Sequence, residues 1–420
     1  MVSRSSKSLI LFITPTQKVV NGGVMSIFSL TKESRKLQHI HNSSVELCVY
    51  PGDRSYKKND LFDNEEYVYD FEQIMKKYPK LDRILIHVPE LAVDKLNLAF
   101  IKYITYFENI SDVHFNILNQ NIKYMRNLKN ISDIYKLADH VTQTTAHDKY
   151  ATQETSNKYS LALKHLSVFI DPIQYQTVPY EKKKKLIAYS PDKSNMKELV
   201  IKRLVDSLPD YEFIEINNMT YEKYKTIIGK AKYVITFGEG LDGYLIESTF
   251  SGGIGVAVYN KDFFPSHNFK NESFIYPSYE NMYENIVQDI KHADTVGVYN
   301  SVNQSMYKKL TDLYSYSRYV KNLTDFYKGI YDYIPSYSSA ERLTRRTGSS
   351  LSEIATKLNE ALAKNDSNIH RLKALELQNS FYKNKVTETQ KKVNDIEASK
   401  SWRLTRPLRI IMNIVREFLK

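Results

Sequence analysis

Two glutamates have the residue type and spacing needed to hold a ligand rich in hydroxyl groups. Glu239 and Glu247 are separated by seven residues within the segment 236-TFGEGLDGYLIESTFSGGIGVAV-258. The pattern predicts that Glu239 ends the loop after a strand and that Glu247 lies in the following helix. Open α/β domains bind ligands at such loops, beyond the carboxyl ends of parallel strands. Carboxylates there can accept hydrogen bonds from sugar and ribose hydroxyls, and they discriminate because an unmatched polar group is costly.

Three glycines in the same segment suit a phosphate group. Gly238, Gly240 and Gly243 allow backbone amides to approach a diphosphate at a helix N-terminus, where the helix dipole favours negative charge. Two surface carboxylates at this spacing also arise by chance, but the strand and the glycines around them favour a functional interpretation.

The segment resembles the E-x7-E signature of retaining GT-B glycosyltransferases, especially family 4. The resemblance rests on Glu239, Gly240, Glu247 and Gly252. It implies that Glu239 faces the transferred sugar in a catalytic role and that Glu247 holds the donor ribose. It also implies a hexosyl- or deoxyhexosyltransferase that needs no cofactor beyond its nucleotide-sugar substrate, with the donor phosphate acting as the internal base. The sequence has no Asp-x-Asp pair of the kind that marks metal-dependent sugar transferases, which predicts metal independence.

The segment departs from the family pattern at three positions. Asp242 stands where Gly is common, Ser248 replaces the usual Ala, and Ile254 stands where Pro is frequent. These departures leave the donor sugar open.

A second candidate site lies in the predicted strand and loop 186-LIAYSPDKSNMKELV-200. The resemblance implies that a basic residue here holds the donor diphosphate and offsets charge on the leaving nucleotide. Lys193 is the first candidate and Lys197 the second. The alternative is a merely solvated lysine, because Lys and Arg account for 59 of the 420 residues.

A glycine pair and two histidines complete the candidates. Gly22 and Gly23 follow the first predicted strand. The resemblance implies that this loop lies across the cleft, close to the donor phosphates and the acceptor, where the glycines permit close approach; the alternative is that they mark only a tight turn. His87 and His147 follow or end predicted strands, so either one can face a cleft and touch the transferred sugar or the acceptor. We name His87 as a catalytic candidate, with a satisfied structural histidine as the alternative for both.

The elements that must position these residues follow an α/β pattern. Apolar runs at 8–14, 84–88, 114–118 and 165–170 predict buried parallel strands, and 186–190, 212–216, 233–237, 254–258 and 273–277 predict a second set. Helices are predicted at 195–208, at 221–231, from about 243, and through 305–334. The resulting fold class is α/β, with two Rossmann-like domains facing a cleft as in GT-B proteins. The N-terminal, acceptor-side domain covers 1–178 and the donor domain 182–335, joined by a hinge within 171–185.

The remaining chain has a different character. Apolar residues over 345–397 recur at alternating steps of three and four, which predicts a coiled coil and favours a homo-oligomer; a single helix packed on its own domain is the alternative. The stretch 398–420 contains the only Trp and predicts a basic amphipathic helix that binds an anionic membrane or, alternatively, the protein itself. The residues expected to contact the membrane are Trp402, Arg403, Arg406, Arg409 and Arg416.

The short motif 401-SWRLTRPLR-409 resembles a tail found on bacterial enzymes of cell-surface polysaccharide assembly. It implies a lipid-linked or membrane-proximal acceptor.

Composition excludes several other classes of protein. A single cysteine, Cys48, rules out an internal disulfide or a zinc–cysteine cluster, and it favours a reducing compartment. No apolar run is long enough to span a bilayer, so we expect a cytoplasmic protein that is peripheral on the inner face of the plasma membrane. The formal net charge of +11 suits an anionic partner, but no nucleic-acid-binding module is recognised. The rival hypotheses are a catalytically silent GT-B scaffold that recruits a partner enzyme, and a GT-B epimerase or polyol-phosphate transferase.

Overall fold

The structure is a computed structural model that describes residues 7–94, 100, 102–125, 131, 134–135, 137–265 and 267–336. The predictions for 345–397 and 398–420, including Trp402 and the four arginines, lie outside these residues. In the described part of the chain, no helix is long and apolar enough to cross a membrane.

The first half forms a parallel sheet of seven strands in the order β3-β2-β1-β4-β5-β6-β7. Its strands are β1 (Ser8–Ile13), β2 (Ser44–Cys48), β3 (Val68–Tyr69), β4 (Arg83–Pro89), β5 (Asp112–Asn119), β6 (His140–Thr145) and β7 (Ala162–His165). The helices around it are α1 (Gly22–Lys36), α2 (Gln38–His41), α3 (Phe71–Lys77), α4 (Ile104–Glu108) and α5 (Gln153–Tyr159).

The second half forms a parallel sheet of five strands in the order β12-β11-β10-β8-β9. Its strands are β8 (Lys184–Tyr189), β9 (Glu212–Glu215), β10 (Ala231–Ile235), β11 (Ile254–Val258) and β12 (Ile275–Tyr276). The helices are α6 (Lys197–Ser207), α7 (Tyr221–Lys230), α8 (Gly243–Phe250), α9 (Tyr279–Ala293), α10 (Val296–Leu313) and α11 (Tyr316–Tyr327).

The cores of both sheets explain why the apolar runs become strands. In β1, Leu9, Leu11, Phe12 and Ile13 are fully buried, as expected when helices cover both faces of a parallel sheet. In the second sheet, β10 is buried along its whole length. The predicted α/β class with parallel sheets is therefore confirmed.

One predicted strand is wrong and several elements are displaced. The segment 165–170 is not a strand, because pairing with β6 ends at His165 and Phe169 packs instead on the rings of Tyr316 and Tyr319. The helix predicted over 305–334 is two helices, α10 and α11, and α11 ends at Tyr327. Within the predicted hinge lie two short 3-10 turns, Pro172–Gln174 and Tyr180–Lys182, and β8 already begins at Lys184.

The end of the described chain returns to the first sheet. Tyr333 forms an antiparallel bridge with Leu163 of β7. The hydroxyl of Tyr316 donates a 2.8 Å hydrogen bond to Glu33 of α1. The last helix therefore belongs by its contacts to the N-terminal half, and the chain crosses between the two sheets twice.

Candidate active site

The loop that carries Glu239 is shaped by a glycine and by a helix cap. Gly240 has φ +86°, and a Cβ there would lie 2.6 Å from the carbonyl oxygen of Val258. Asp242 is the N-cap of α8, since its carboxylate accepts hydrogen bonds from the amides of Tyr244 (3.0 Å) and Leu245 (3.3 Å). This cap gives Asp242 a structural role at the start of α8. Burial raises the pKa of Asp242 to about 7.

Glu239 lies at the tip of this loop and faces the other sheet. Its side chain is exposed, and its Oε1 lies 3.5 Å from the side-chain nitrogen Nδ2 of Asn121, which follows β5. Partial desolvation raises the pKa of Glu239, and the nearby Asp192 carboxylate adds to the increase, whereas Lys123 opposes it. A carboxylate at the edge of one sheet thus meets an amide from the edge of the other, as a site between two domains requires.

Glu247 has a very different environment. It lies on α8 with its side chain buried, and Tyr221 donates a 3.1 Å hydrogen bond to its Oε2. The hydroxyls of Tyr175 and Tyr221 are 2.9 Å apart, and Tyr224 also reaches the carboxyl group. Burial raises the pKa of Glu247 to about 7, against hydrogen bonds from the three tyrosines that lower it. Glu247 is therefore held in a tyrosine cage, defined here as Tyr175, Tyr221 and Tyr224.

The two candidate lysines differ in solvent exposure and in the contacts of their ammonium groups. Lys197 is buried, and its Nζ donates to the carbonyl oxygen of Ser190 (2.9 Å) and pairs with Glu215 (2.7 Å). Lys193 is exposed on the loop between β8 and α6. In the same loop, Asp192 packs on the open face of Gly238, where a Cβ would lie 2.7 Å from its Oδ2. The loop that contains Asp192 and Lys193 therefore lies next to the Glu239 loop. Lys197 instead forms its contacts with residues of the second half of the chain.

The glycine pair begins α1, capped by Asn21, which accepts a 2.9 Å hydrogen bond from the amide of Val24. Gln120 donates a 2.7 Å hydrogen bond to the carbonyl oxygen of Gly23, and a Cβ on Gly23 would lie 2.6 Å from Gln120 Oε1. Gly23 therefore makes room for the loop after β5, which also carries Asn121. A Cβ on Gly22 would meet nothing within 4 Å.

The two histidines are not equivalent. His87 is fully buried in the first sheet, stacked on Phe12 with 4.3 Å between ring centroids and 3.0 Å from the amide nitrogen of Asn116. Burial holds its pKa well below the usual range. The structure does not bring His87 to Glu239, so its location gives the predicted catalytic role no support. His147 instead lies where the two halves meet, edge-on to Phe263 at 5.5 Å.

Several residues at this meeting point were not among the sequence candidates. Lys123 and Lys149, from the turns after β5 and β6, both form ion pairs with Asp262, from the loop after β11. Glu90 accepts hydrogen bonds from the amides of Gln120 (3.3 Å) and Asn121 (3.1 Å), which fixes the loop opposite Glu239. The available signal was position, since all of these residues, Glu90 included, follow a parallel strand at its carboxyl end.

A metal-binding group of His, Cys, Asp or Glu is not found among the residues that the structure describes. The predicted metal independence stays a prediction. The site can accept hydrogen bonds from hydroxyl groups at Glu239 and can pair with anions at Lys193, Lys123 and Lys149.

Comparison with known proteins gives a result at the level of fold. No protein-family model matches the chain, and no curated protein matches it. Solved structures do match, and two of them each align with about three quarters of the chain. An alpha-glucosyltransferase in complex with UDP-glucose and DNA containing an abasic site is 13% identical with a TM-score of 0.51, covering 76% of this chain and 99% of its own. Sucrose-phosphate synthase from Thermosynechococcus elongatus is 9% identical with a TM-score of 0.50, covering 77% and 99%. These likenesses and the two facing parallel sheets show that the chain has the GT-B fold.

Proposed function

We propose that the chain is a glycosyltransferase that moves a sugar from a nucleotide-sugar donor to an acceptor. The observation that carries the proposal is the position of Glu239, which projects from the second sheet's carboxyl edge to within 3.5 Å of Asn121 at the carboxyl edge of the first. An alpha-glucosyltransferase of the same fold was solved with UDP-glucose, which supports a nucleotide-sugar as the donor class. A hexosyl or deoxyhexosyl group suits a site built from hydroxyl-binding side chains.

In this proposal Glu239 binds hydroxyl groups of the transferred sugar. Its exposed carboxylate accepts hydrogen bonds that grow stronger as positive charge develops on the sugar ring. Partial desolvation, with a contribution from the Asp192 carboxylate, raises the pKa of Glu239. Above that pKa the glutamate is ionised, and the ionised form is the one that stabilises an oxocarbenium-like state. The reaction retains the anomeric configuration, with the donor phosphate as the base, so no protein nucleophile is required.

Glu247 takes the ribose in this proposal, and Lys193 takes the donor diphosphate. A ribose hydroxyl reaches Glu247 only by joining or replacing the tyrosine hydroxyls that now bind it. Because Tyr221 and Tyr175 are already linked by a 2.9 Å hydrogen bond, they can supply the second partner that a bound hydroxyl needs.

The acceptor side of the proposal rests on the C-terminal sequence. Residues 399–420 contain six basic residues and one acidic residue, a composition suited to an anionic membrane surface and hence to a lipid-linked acceptor at the inner face of the plasma membrane. We expect the full chain to sediment with vesicles that contain anionic lipid. Replacing Arg403, Arg406, Arg409 and Arg416 by Gln, together with Trp402→Ala, is expected to abolish this binding; unchanged sedimentation would contradict it. Sedimentation velocity of the same proteins tests the predicted homo-oligomer.

The decisive experiment measures donor hydrolysis and transfer across UDP-, GDP- and dTDP-sugars with a lipid-linked acceptor. Wild type is compared with Glu239→Gln and Glu247→Gln, and with Glu284→Gln on α9 as an exposed control. Losing a hydrogen bond to a charged group costs about 1.5–3 kcal/mol, so each site variant should lose about 10- to 100-fold in kcat/KM. The anomeric proton of the product, followed by NMR, tests retention.

The catalytically silent scaffold is the rival that the same experiment separates. Wild-type protein that binds nucleotide but turns over no donor would support the scaffold and overturn the transferase. An epimerised nucleotide-sugar as the product would support the epimerase hypothesis, and a transferred polyol phosphate would support the polyol-phosphate transferase.

A further inference from the structure

Two lysines of the first half converge on one carboxylate of the second half. Lys123 lies in the 3-10 turn Ile122–Tyr124 after β5, and its Nζ is 2.9 Å from Asp262 Oδ2. Lys149 lies in the turn Asp148–Tyr150 after β6 and pairs with Oδ1 of the same carboxylate. The two ammonium groups therefore bind the two oxygens of one anionic group, across the cleft.

Among the residues that the structure describes, both ammonium groups have the same carboxylate as their ion-pair partner. Asp148, the acidic neighbour of Lys149, pairs with His165 instead, at 3.4 Å. Two cations thus share Asp262 as their direct partner, and the Glu239 carboxylate is the next acidic group that interacts with Lys123. A phosphate group carries more negative charge and more acceptor oxygens than a carboxylate, so it satisfies two ammonium groups better.

The surroundings give the pair a fixed place beside Glu239. Lys123 lies 5.2 Å above the ring of Phe263, and His147 packs on the same ring. Lys123 is two residues from Asn121, the residue that faces Glu239, and it lowers the pKa of that glutamate. An anion bound by the lysines would therefore lie next to the group that binds the transferred sugar.

We propose that Lys123 and Lys149 form a phosphate-binding site on the acceptor-side half of the cleft, where the Asp262 carboxylate competes with the phosphate for both ammonium groups. The inference rests on the proposed function, because it names the substrate group that enters this part of the cleft. The phosphate belongs either to the diphosphate of the donor or to a phosphate-bearing acceptor. In both cases the substrate displaces Asp262, so the carboxylate competes with the ligand for the same two cations.

The test is isothermal titration of the full chain with UDP, uridine and glycerol 3-phosphate. Variants are Lys123→Gln/Lys149→Gln, Lys123→Arg/Lys149→Arg and Asp262→Asn, and Lys158→Gln on α5 is the control for loss of an exposed lysine. We expect the double Gln variant to bind one phosphate probe about tenfold more weakly or worse, with uridine binding unchanged. Asp262→Asn should bind that probe more tightly, and the double Arg variant should bind it as wild type does.

The probe that responds identifies the source of the phosphate. Weakened UDP binding assigns the lysines to the donor diphosphate, and weakened glycerol 3-phosphate binding with unchanged UDP binding assigns them to the acceptor. A smaller dependence of affinity on salt in the double Gln variant would confirm that charge is responsible. The inference is overturned when affinities for both phosphate probes stay within about twofold of wild type in the Gln and Asn variants. Since binding is measured without turnover, a silent protein that still binds phosphate through these lysines would overturn only the transferase.

Discussion

At the scale of single residues, the tyrosine cage decides when Glu247 can bind a ribose. The carboxyl group titrates near neutral pH because burial raises its pKa to about 7 while hydrogen bonds from the tyrosines lower it. An ionised carboxylate accepts hydrogen bonds from two ribose hydroxyls, and a protonated one accepts fewer. We therefore expect donor affinity to increase as the pH rises through about 7.

Tyr221→Phe is expected to move this increase to higher pH, because the variant removes the 3.1 Å hydrogen bond that favours the ionised carboxylate. The measurement is the dissociation constant of the nucleotide-sugar between pH 6 and 9, with Tyr159→Phe on α5 as a buried control from the other half. The same midpoint in wild type and Tyr221→Phe would show that the cage does not govern Glu247.

His114 supplies a residue-scale prediction for stability. It is buried in β5, with Nε2 2.8 Å from the hydroxyl of Thr142, and burial lowers its pKa to about 3 from 6.5. Between pH 6.5 and pH 3 this histidine is protonated in the unfolded chain and neutral in the folded chain. The free energy of unfolding therefore falls as the pH decreases below 6.5. The loss contributed by His114 is about 2 kcal/mol between pH 7 and 5.

Urea unfolding at pH 7 and pH 5 measures this contribution. His114→Gln keeps a polar partner for Thr142 and does not titrate, so its stability should fall by about 2 kcal/mol less than that of wild type. An equal fall in both proteins would contradict the buried neutral state of His114.

Residue type and local spacing predicted part of the candidate site, whose role stays a prediction. Glu239 and its flanking glycines could be proposed from the sequence because the loop, the start of the helix and the two carboxylates are close together along the chain. Asp262, Lys123 and Lys149 could not, because their pairing joins turns more than 100 residues apart. Nor does the local sequence around His87 show that α11 packs against it, with the ring of Phe326 at 5.5 Å.

At the scale of elements, the strand β10, its loop and α8 act as one unit that aims Glu239. Gly240→Ala is expected to destabilise the protein, by about 1–3 kcal/mol, because a Cβ at φ +86° is strained and also meets the Val258 carbonyl. The loop must shift to relieve that contact, so donor turnover should fall even in the folded variant.

Gly229→Ala is the matched control for this prediction. Gly229 lies in α7, and a Cβ there meets nothing within 4 Å, so alanine should stabilise the helix by up to about 1 kcal/mol. Thermal unfolding and turnover of the two variants are compared side by side. Equal stability and activity would show that the Gly240 conformation does not shape the site.

The strands that sequence patterns missed include β2, β3 and β6, of which one is polar and one is very short. β6, with the sequence HVTQTT, is buried beyond its first residue but has no apolar run, because Thr142 and Thr144 form hydrogen bonds with Asn116 inside the sheet. Apolar periodicity cannot predict such a strand, since its polar groups are satisfied only by neighbouring strands. β3 is two residues long and shows no pattern at all.

At the scale of the whole molecule, the return of α11 to the first sheet links the two halves by a second crossing. Lys164 of β7 is 3% exposed and lies between Asp325 of α11 and Asp332, with Nζ–oxygen distances of 3.5 and 2.8 Å. Asp332 also accepts a 2.7 Å hydrogen bond from the amide of His165. This buried group fixes the end of the GT-B unit, from which the C-terminal segment continues.

Neutralising the two aspartates should therefore lower the free energy of unfolding more than replacing the lysine does. Asp325→Asn/Asp332→Asn leaves a buried ammonium group without a counter-charge and is expected to cost about 3 kcal/mol of unfolding free energy, whereas Lys164→Met removes the charge together with its desolvation cost and should stay within about 1 kcal/mol of wild type. Urea unfolding of the full chain measures both, and the triple variant closes the cycle. If the triple variant is as unstable as the double Asn variant, the loss of stability comes from the packing of α11 and not from the buried charge. If its stability recovers toward that of wild type, the ion pairs of Lys164 are what stabilise the contact of α11 with the first sheet.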